Sequence, residues 1–411
     1  MDRKRDTIMR SLPIMFRISL AVLIALFIFK CNGDYDHSLA DFGISLFQLS
    51  SQPGKQVISP VAESLALGAV YEGSQDETRK QIGIAMFGTK SEGGFERQIP
   101  FLHIIAKNLS YDGEGQQSTA KMLLLTQKRF SYEQQFLTSL KTNYEAVEKK
   151  YNFNKPKVRK IAATETEEWV KTATGGFVKG TVEERMFHAE TRSSPISAIF
   201  TSFKWKNPLT KESGEFGGKQ VSFLKGSGEY LYKSTTKYEM LGMEMVDDAA
   251  TLYIFLPKGE SYGELEKEIN GETIILKARL AGRTTVEVKI PEMKIFSKYK
   301  FNAALQKLGV QKIFTKEAEL GGIAAEGLDL YASYQAVGFE VNEDGVSGGA
   351  TGTASLQSLN GAVQPLEEQQ TEVESEVSEE VEGAAEKFVA NRPFFFALVR
   401  KKSVLYAGRY M

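Results

Sequence analysis

Residues 340–354 read EVNEDGVSGGATGTA, and this stretch decides the fold. After Asp344 every residue is Gly, Ser, Ala or Thr except Val346, and neither proline nor charge interrupts the run. Glycine tolerates backbone conformations that other residues avoid, so the segment can act as a hinge. It can also form a strand, because each residue keeps its N–H donor and no bulky side chain must fit a packed layer. The composition predicts a segment with two conformations, a mobile loop and a strand.

On the N-terminal side of this stretch, helical patterns come first and strand patterns follow. Ser59 and Pro60 are typical of a helix start, with serine as the N-cap and proline at the first helical position. Short runs rich in β-branched and aromatic residues predominate after about residue 195. We find no internal repeat and no linker between domains. Helices first and strands later predict a single α+β domain with several sheets over residues 34–411.

The N-terminal residues predict an export signal. A positive region comes first, made of Arg3, Lys4, Arg5, Arg10 and Arg17. The apolar run over residues 18–29 is shorter than the roughly 20 residues that a spanning helix needs. Small residues at Cys31 and Gly33 predict cleavage after Gly33, which would remove residues 1–33 and the only cysteine. We expect a secreted protein without disulfides; an uncleaved anchor and a core helix are the alternatives.

Composition argues against several classes of function. The 51 basic residues balance 52 acidic ones, and no basic run follows the pattern of phosphate binding, so we expect no nucleic-acid partner. His37, His103 and His188 lie in no recognisable nucleophile motif, and no spacing of metal ligands occurs. We therefore expect no enzyme activity, no metal and no cofactor. Asn108, in the tripeptide Asn-Leu-Ser, is a candidate glycosylation site in an exported chain.

An acidic segment occupies residues 366–386, with nine glutamates and no lysine or arginine. Valines at 373, 377 and 381 have the spacing of a short amphipathic helix. Like charges at this density favour a mobile loop over that helix. The segment is either a solvated spacer or a surface that attracts a cationic protease or matrix partner.

An ordered set of short motifs resembles the serpin family. The set comprises residues 57–60 with 66–73, 168–170, 203–205, 254–258, 290–294, 305–309, 340–345, 391–396 and 405–409. The resemblance covers essentially all of the chain after the leader. It implies about nine helices on three β-sheets, with an exposed reactive loop over about residues 344–390.

The same resemblance implies an inhibitor of serine proteases. A target protease attacks the loop and becomes acylated, and the freed loop then inserts as a strand into the central sheet. Counted as in the family, the reactive bond joins Leu359 to Asn360, with Ser358, Leu356 and Val363 as nearby alternatives. A leucine there suits a chymotrypsin-like or elastase-like protease. The implied hinge comprises Glu343, Gly345, Val346, Ser347, Gly348, Gly349, Ala350 and Thr351.

The reactive loop departs from the family pattern in its length. Glu343 and Pro393 are 50 residues apart, roughly twice the usual distance. Doubling a flexible loop costs only about 0.6 kcal/mol in closure entropy, so we expect the fold to tolerate it. Most of the excess is the acidic segment, which follows the expected reactive bond and need not insert after cleavage.

The residues that hold the central sheet shut also depart from the pattern. Where the family has an Asn–His pair, this chain has Ser197 and Gln335, and a neighbouring serine is replaced by Ala62. Ser59 is retained, as is Trp205, which the family places where the sheet first opens. Because buried polar groups must find partners, we expect a different polar network among these residues.

A non-inhibitory serpin, acting as a carrier or binding protein through its acidic loop, is the alternative function. Bulky, charged or proline residues over positions 346–354 would favour it, and Val346 is the only large side chain there. We expect a monomer whose partner is a target serine protease, with no stable membrane span.

Overall fold

Two β-sheets with helices on their faces make up the structure, a computed structural model that describes residues 37–88, 95–259, 262–359 and 386–411. The α+β fold class is confirmed. The predicted leader, Asn360 and residues 366–385 lie outside the described residues. No helix within the described ranges is long and apolar enough to cross a membrane.

Eight α-helices and a π-helical turn, Thr273–Lys277, are described, in line with the nine implied helices. The α-helices are α1 Ser38–Leu49, α2 Pro60–Gly73, α3 Asp76–Phe87, α4 Phe95–Leu109, α5 Gln134–Asn143, α6 Pro156–Ala173, α7 Tyr262–Glu268 and α8 Asn302–Lys307. The helix start predicted at Ser59 and Pro60 is confirmed, because the Ser59 hydroxyl accepts a hydrogen bond from the Ala62 N–H at 3.3 Å. Nearly every residue of α2 is buried, so this helix lies inside the molecule.

Sixteen strands complete the described part of the chain. They are β1 Gln56–Ile58, β2 Tyr111–Gly113, β3 Gln116–Gln127, β4 Val147–Tyr151, β5 Thr191–Lys204, β6 Thr210–Phe216, β7 Lys219–Ser234, β8 Tyr238–Glu244, β9 Thr251–Pro257, β10 Gly282–Pro291, β11 Met293–Lys300, β12 Leu328–Val341, β13 Gly345–Ser358, β14 Lys387–Val389, β15 Phe394–Arg400 and β16 Ser403–Tyr410. A seven-stranded sheet has the order β11-β12-β13-β5-β3-β2, with β4 also paired to β3. The other nine strands form the second sheet.

The described strands form two hydrogen-bonded sheets where the resemblance implied three. The long strand β7 accounts for the difference. It pairs with β6 and β10 along its first part and with β8 at its end, so two expected sheets are continuous through it.

The first half of the expected exposed loop is a strand in this structure, which corrects that expectation. Strand β13 lies between β12 and β5 and is antiparallel to both. The physical reason is the composition of the segment, since small residues with unbroken N–H donors fit between two existing strands. The structure therefore shows the strand conformation that residues 340–354 allow.

Stacked aromatic rings join the two sheets through their common core. Phe339 of β12 stacks on Phe396 of β15, with ring centroids 5.0 Å apart, and tilts against Tyr406 of β16 at 5.4 Å. Val346, Ala350, Ala354 and Leu356 of β13 belong to the same buried cluster. The inserted strand is thus part of the main core of the protein.

We expect Phe339→Ala to lower the free energy of unfolding by about 3–5 kcal/mol, because it leaves a cavity at the junction of the sheets. Phe296→Ala is the matched control, since Phe296 is 49% exposed whereas Phe339 is 1% exposed. Its cost should be about 0.5 kcal/mol or less. Urea unfolding of both variants measures the difference, and equal costs would contradict this account of the core.

Candidate functional site: the inserted strand and its seat

The Gln335 side chain ties β12 to the start of α2. The Ser59 N–H donates to Gln335 Oε1 at 2.9 Å, and Gln335 Nε2 donates to the Ser59 carbonyl at 2.9 Å. The Ser59 hydroxyl in turn donates to the Leu405 carbonyl at 2.7 Å. All of these groups are buried, so each bond satisfies a polar group that water does not reach.

Ser197 makes the equivalent contact from β5. Its hydroxyl donates to the Ala62 carbonyl at 2.6 Å and accepts a hydrogen bond from the Gly352 N–H at 3.2 Å. Ser197 and Gln335 therefore do not bond each other, since Gly352 lies opposite both of them in register. The polar network at these two positions runs through the backbone of α2 and the inserted strand.

Gly352 is the one position of β13 where the start of α2 comes closest. A Cβ atom at residue 352 would lie 2.5 Å from the Ala62 carbonyl oxygen, which belongs to the backbone and cannot rotate away. The absence of a side chain is thus a requirement of the inserted state. We call Ser59, Ala62, Ser197 and Gln335 the seat of Gly352.

A tight turn connects β12 to β13 and holds the hinge. The Asn342 Oδ1 accepts hydrogen bonds from the Asp344 N–H at 3.0 Å and the Gly345 N–H at 3.1 Å. Trp205 Nε1 donates to the Asn342 carbonyl at 2.8 Å, and the Trp205 ring is buried. Trp205 therefore lies where β13 leaves β12, at the hinge end of the sheet.

Lys211 forms an ion pair at the same turn that the sequence did not reveal. Its Nζ lies 2.9 Å from a Glu343 carboxylate oxygen and 3.0 Å from one of Glu292. The hydrogen bond to Glu343, with that to Glu292, raises the pKa of Lys211, and Lys211 lowers the pKa of Glu343. All three groups face solvent, so the pairing guides the position of the turn more than it stabilises the fold.

The predicted hinge residues all lie in this turn or in β13. Val346 and Ala350 point into the core, while the Ser347 hydroxyl donates to the Ser202 hydroxyl at 3.1 Å on the other face. Glu343 is in the turn, and the strand contains Gly345, Val346, Ser347, Gly348, Gly349, Ala350 and Thr351. In this state the hinge is part of a sheet.

The far end of β13 reaches the expected reactive bond. The Ser358 N–H donates to the Glu190 carbonyl at 3.0 Å, and the Leu359 N–H donates to the Gly327 carbonyl at 3.3 Å. Leu359 is half-buried and is the last described residue before the gap, while Asn360 lies outside the described residues. Of the alternatives, Leu356 and Ser358 are buried within the strand.

A buried carboxyl group on α2 is a second feature that sequence reasoning missed. Glu63 is fully buried, and its Oε1 accepts a hydrogen bond from the Ser333 hydroxyl of β12. Burial raises the pKa of Glu63 to about 8, so the carboxyl is mostly neutral at pH 7. A glutamate on a helix resembles any surface residue in sequence; the nearly complete burial of α2 is the only signal for it.

The remaining candidate residues lie outside this seat. Asn108 is exposed in the last turn of α4. His103 contacts a Glu72 carboxylate oxygen at 2.6 Å, His37 pairs with Asp41, and His188 packs against a tyrosine ring. Within the described ranges, no group of three or more metal-ligating side chains is present.

The family model for serpins, described as serine protease inhibitors, matches residues 37–411. The chain belongs to the serpin family. Members of this family are mostly protease inhibitors rather than enzymes, and serpins act on target proteases.

Known relatives match this serpin over nearly its whole length. Human Serpin I2 is 25% identical over 399 residues, which is 90% of this chain and 89% of the relative. The structure of cleaved Serpin 42Da has a TM-score of 0.77 at 20% identity and covers 92% of this chain and 97% of that chain. A loop-inserted structure of a cleaved ovalbumin mutant has a TM-score of 0.78 at 20% identity and covers 91% of this chain and 98% of that chain.

We expect the stability of this serpin to depend on pH through Glu63. Because its pKa is raised from 4.5 to about 8, the folded protein keeps a proton that the unfolded chain loses. The free energy of unfolding should therefore be highest near pH 4.5 and should fall by about 1 kcal/mol per unit as pH rises to about 8.

Glu63→Gln, which stays neutral, should remove this part of the pH dependence. Urea unfolding at pH 5, 6.5 and 8 measures it, with Glu168→Gln as the control because Glu168 is exposed on α6. An unchanged slope in E63Q would show that the carboxyl does not titrate as described.

Proposed function

We propose that this serpin inhibits a serine protease by insertion of its cut loop as strand β13. The observation that carries the proposal is the fit of Gly345–Ser358 between β12 and β5, which ends one residue before the bond from Leu359 to Asn360. A protease serine would attack the Leu359 carbonyl carbon, forming an ester there and releasing Asn360 as a new amino terminus. Insertion would then carry Leu359 and the attached protease to the far end of the sheet.

The dimensions of the strand support this movement. Fourteen residues at roughly 3.3 Å each give a displacement of about 46 Å along the sheet. Insertion also buries Val346 and Leu356, each contributing about 1.5–3 kcal/mol relative to exposure. Two new rows of backbone hydrogen bonds, to β12 and to β5, add to this gain. A protease held at that end is displaced from the turn where it first met the loop.

The identity of the target follows from Leu359. A protease with an apolar primary pocket, chymotrypsin-like or elastase-like, would accept this leucine. The acidic residues that follow Asn360 would stay with the C-terminal strands after cleavage, so they would not hinder insertion.

A second candidate function is binding without inhibition, through the acidic segment. One observation favours it: β13 is already in the sheet although the chain is continuous from residue 1 to residue 411. A serpin that holds this conformation before any encounter offers no loop to a protease.

Gly352→Val separates these two functions. We expect the native serpin to form an SDS-stable complex with a chymotrypsin-like or elastase-like protease. The valine side chain would collide with the Ala62 carbonyl only in the inserted state, so this variant should be cleaved with at least a tenfold loss of complex.

Thr353→Val is the matched control, because Thr353 is the next residue of β13 and is half-buried on the other face of the strand. It should form the complex at the native level. Cleavage of the native protein without any complex would overturn inhibition and leave the binding function. Normal complex formation by G352V would overturn the role of the seat.

We also propose that the protein is secreted as a monomer after loss of residues 1–33, with a glycan on Asn108. The exposed position of Asn108 in α4 supports the glycan, and the leader composition supports export. Intact-mass and peptide mass spectrometry of protein from the medium of expressing eukaryotic cells should find Asp34 as the first residue and a glycan that N-glycosidase removes. Retention of residues 18–29 in the mature protein would contradict it.

A further inference from the structure

Two strands on either side of the acidic segment are paired at the same time. Strand β13 is in the centre of its sheet, and β14 pairs in parallel with β10, where the Glu287 N–H donates to the Glu386 carbonyl at 3.0 Å. The 26 residues from 360 to 385 join these strands in one uncut chain. Insertion of β13 has therefore not removed β14 from its own sheet.

The two strands lie at opposite ends of the seven-stranded sheet. Leu359 leaves the far end, about 46 Å from Gly345 at a rise of roughly 3.3 Å per residue. Glu287 precedes Met293 by six residues, and Met293 pairs with Val341 at the hinge end, which adds about 20 Å. The connection from Leu359 to Glu386 must cover about 66 Å in total.

The length of the connection is sufficient for this distance. From Leu359 to Glu386 there are 27 steps, which reach about 89 Å when extended. A flexible chain of that length has a mean end-to-end distance of about 29 Å, so it must be stretched roughly twofold. Nine glutamates without a lysine or arginine favour such stretching, because like charges repel and extend a linker.

We propose that residues 360–385 are a tether that lets the uncut protein insert β13 while β14 stays paired with β10. Its length makes a self-inserted form accessible without cleavage and without loss of a strand from the other sheet. This form does not depend on the proposed inhibition; if the protein is an inhibitor, it is an inactive reserve state that limits the lifetime of activity.

Deletion of residues 366–385 tests the tether directly. Six residues would remain between Leu359 and Glu386, and their seven steps reach only about 23 Å. The matched control keeps the length and removes the charge, by replacing the eight glutamates between positions 367 and 382 with glutamine. Amide hydrogen exchange of the uncut proteins reports β13 and β14 separately, and exchange in β15 and β16 shows that each variant is folded.

The native protein should protect the amides of residues 346–357 and 387–390 together, as should the glutamine variant, with β13 at most tenfold less protected. The deletion variant should protect one of the two strands and never both. Equal protection of both strands in the deletion variant would overturn the proposal. Rapid exchange of either strand in the uncut native protein would also overturn it. The protease complex assay is independent of these outcomes.

Discussion

The close contact between the start of α2 and the centre of the seven-stranded sheet is the constraint on which the rest depends. Ser59 and Ala62 present backbone groups to Gln335 and Ser197, and Gly352 passes between them without room for a Cβ atom. The two side chains are separated by two strand spacings, about 9.6 Å, so each is satisfied by α2 rather than by the other. A sheet without β13 would have to pair these groups in another way.

Much of this arrangement could be predicted from the sequence, but the state of the loop could not. The run of small residues after Asp344 predicted both a hinge and a strand, and the strand lies where that run occurs. Composition allows both conformations because it is a local property. The choice between them depends on β5 and β12, and the pairing of β5 joins residues about 140 positions apart. The fusion of two expected sheets through β7 is likewise a long-range pairing.

The residues that sequence reasoning missed are those whose roles depend on distant partners. Glu63 is buried because Ser333, 270 positions later, lies against α2, and nothing in the helix itself marks it. Lys211 pairs with Glu343 and Glu292 from a strand that no motif connects to the hinge. Their chemistry nevertheless acts on the same seat and turn, from below the sheet and from its hinge end.

A crystal structure of the protein nicked between Leu359 and Asn360 tests the central claim most directly. The account predicts that the Gly352 nitrogen lies within hydrogen-bonding distance of the Ser197 hydroxyl, with Gln335 bonded to Ser59. Residues 345–358 found outside the sheet, or shifted so that another residue occupies the seat, would contradict it.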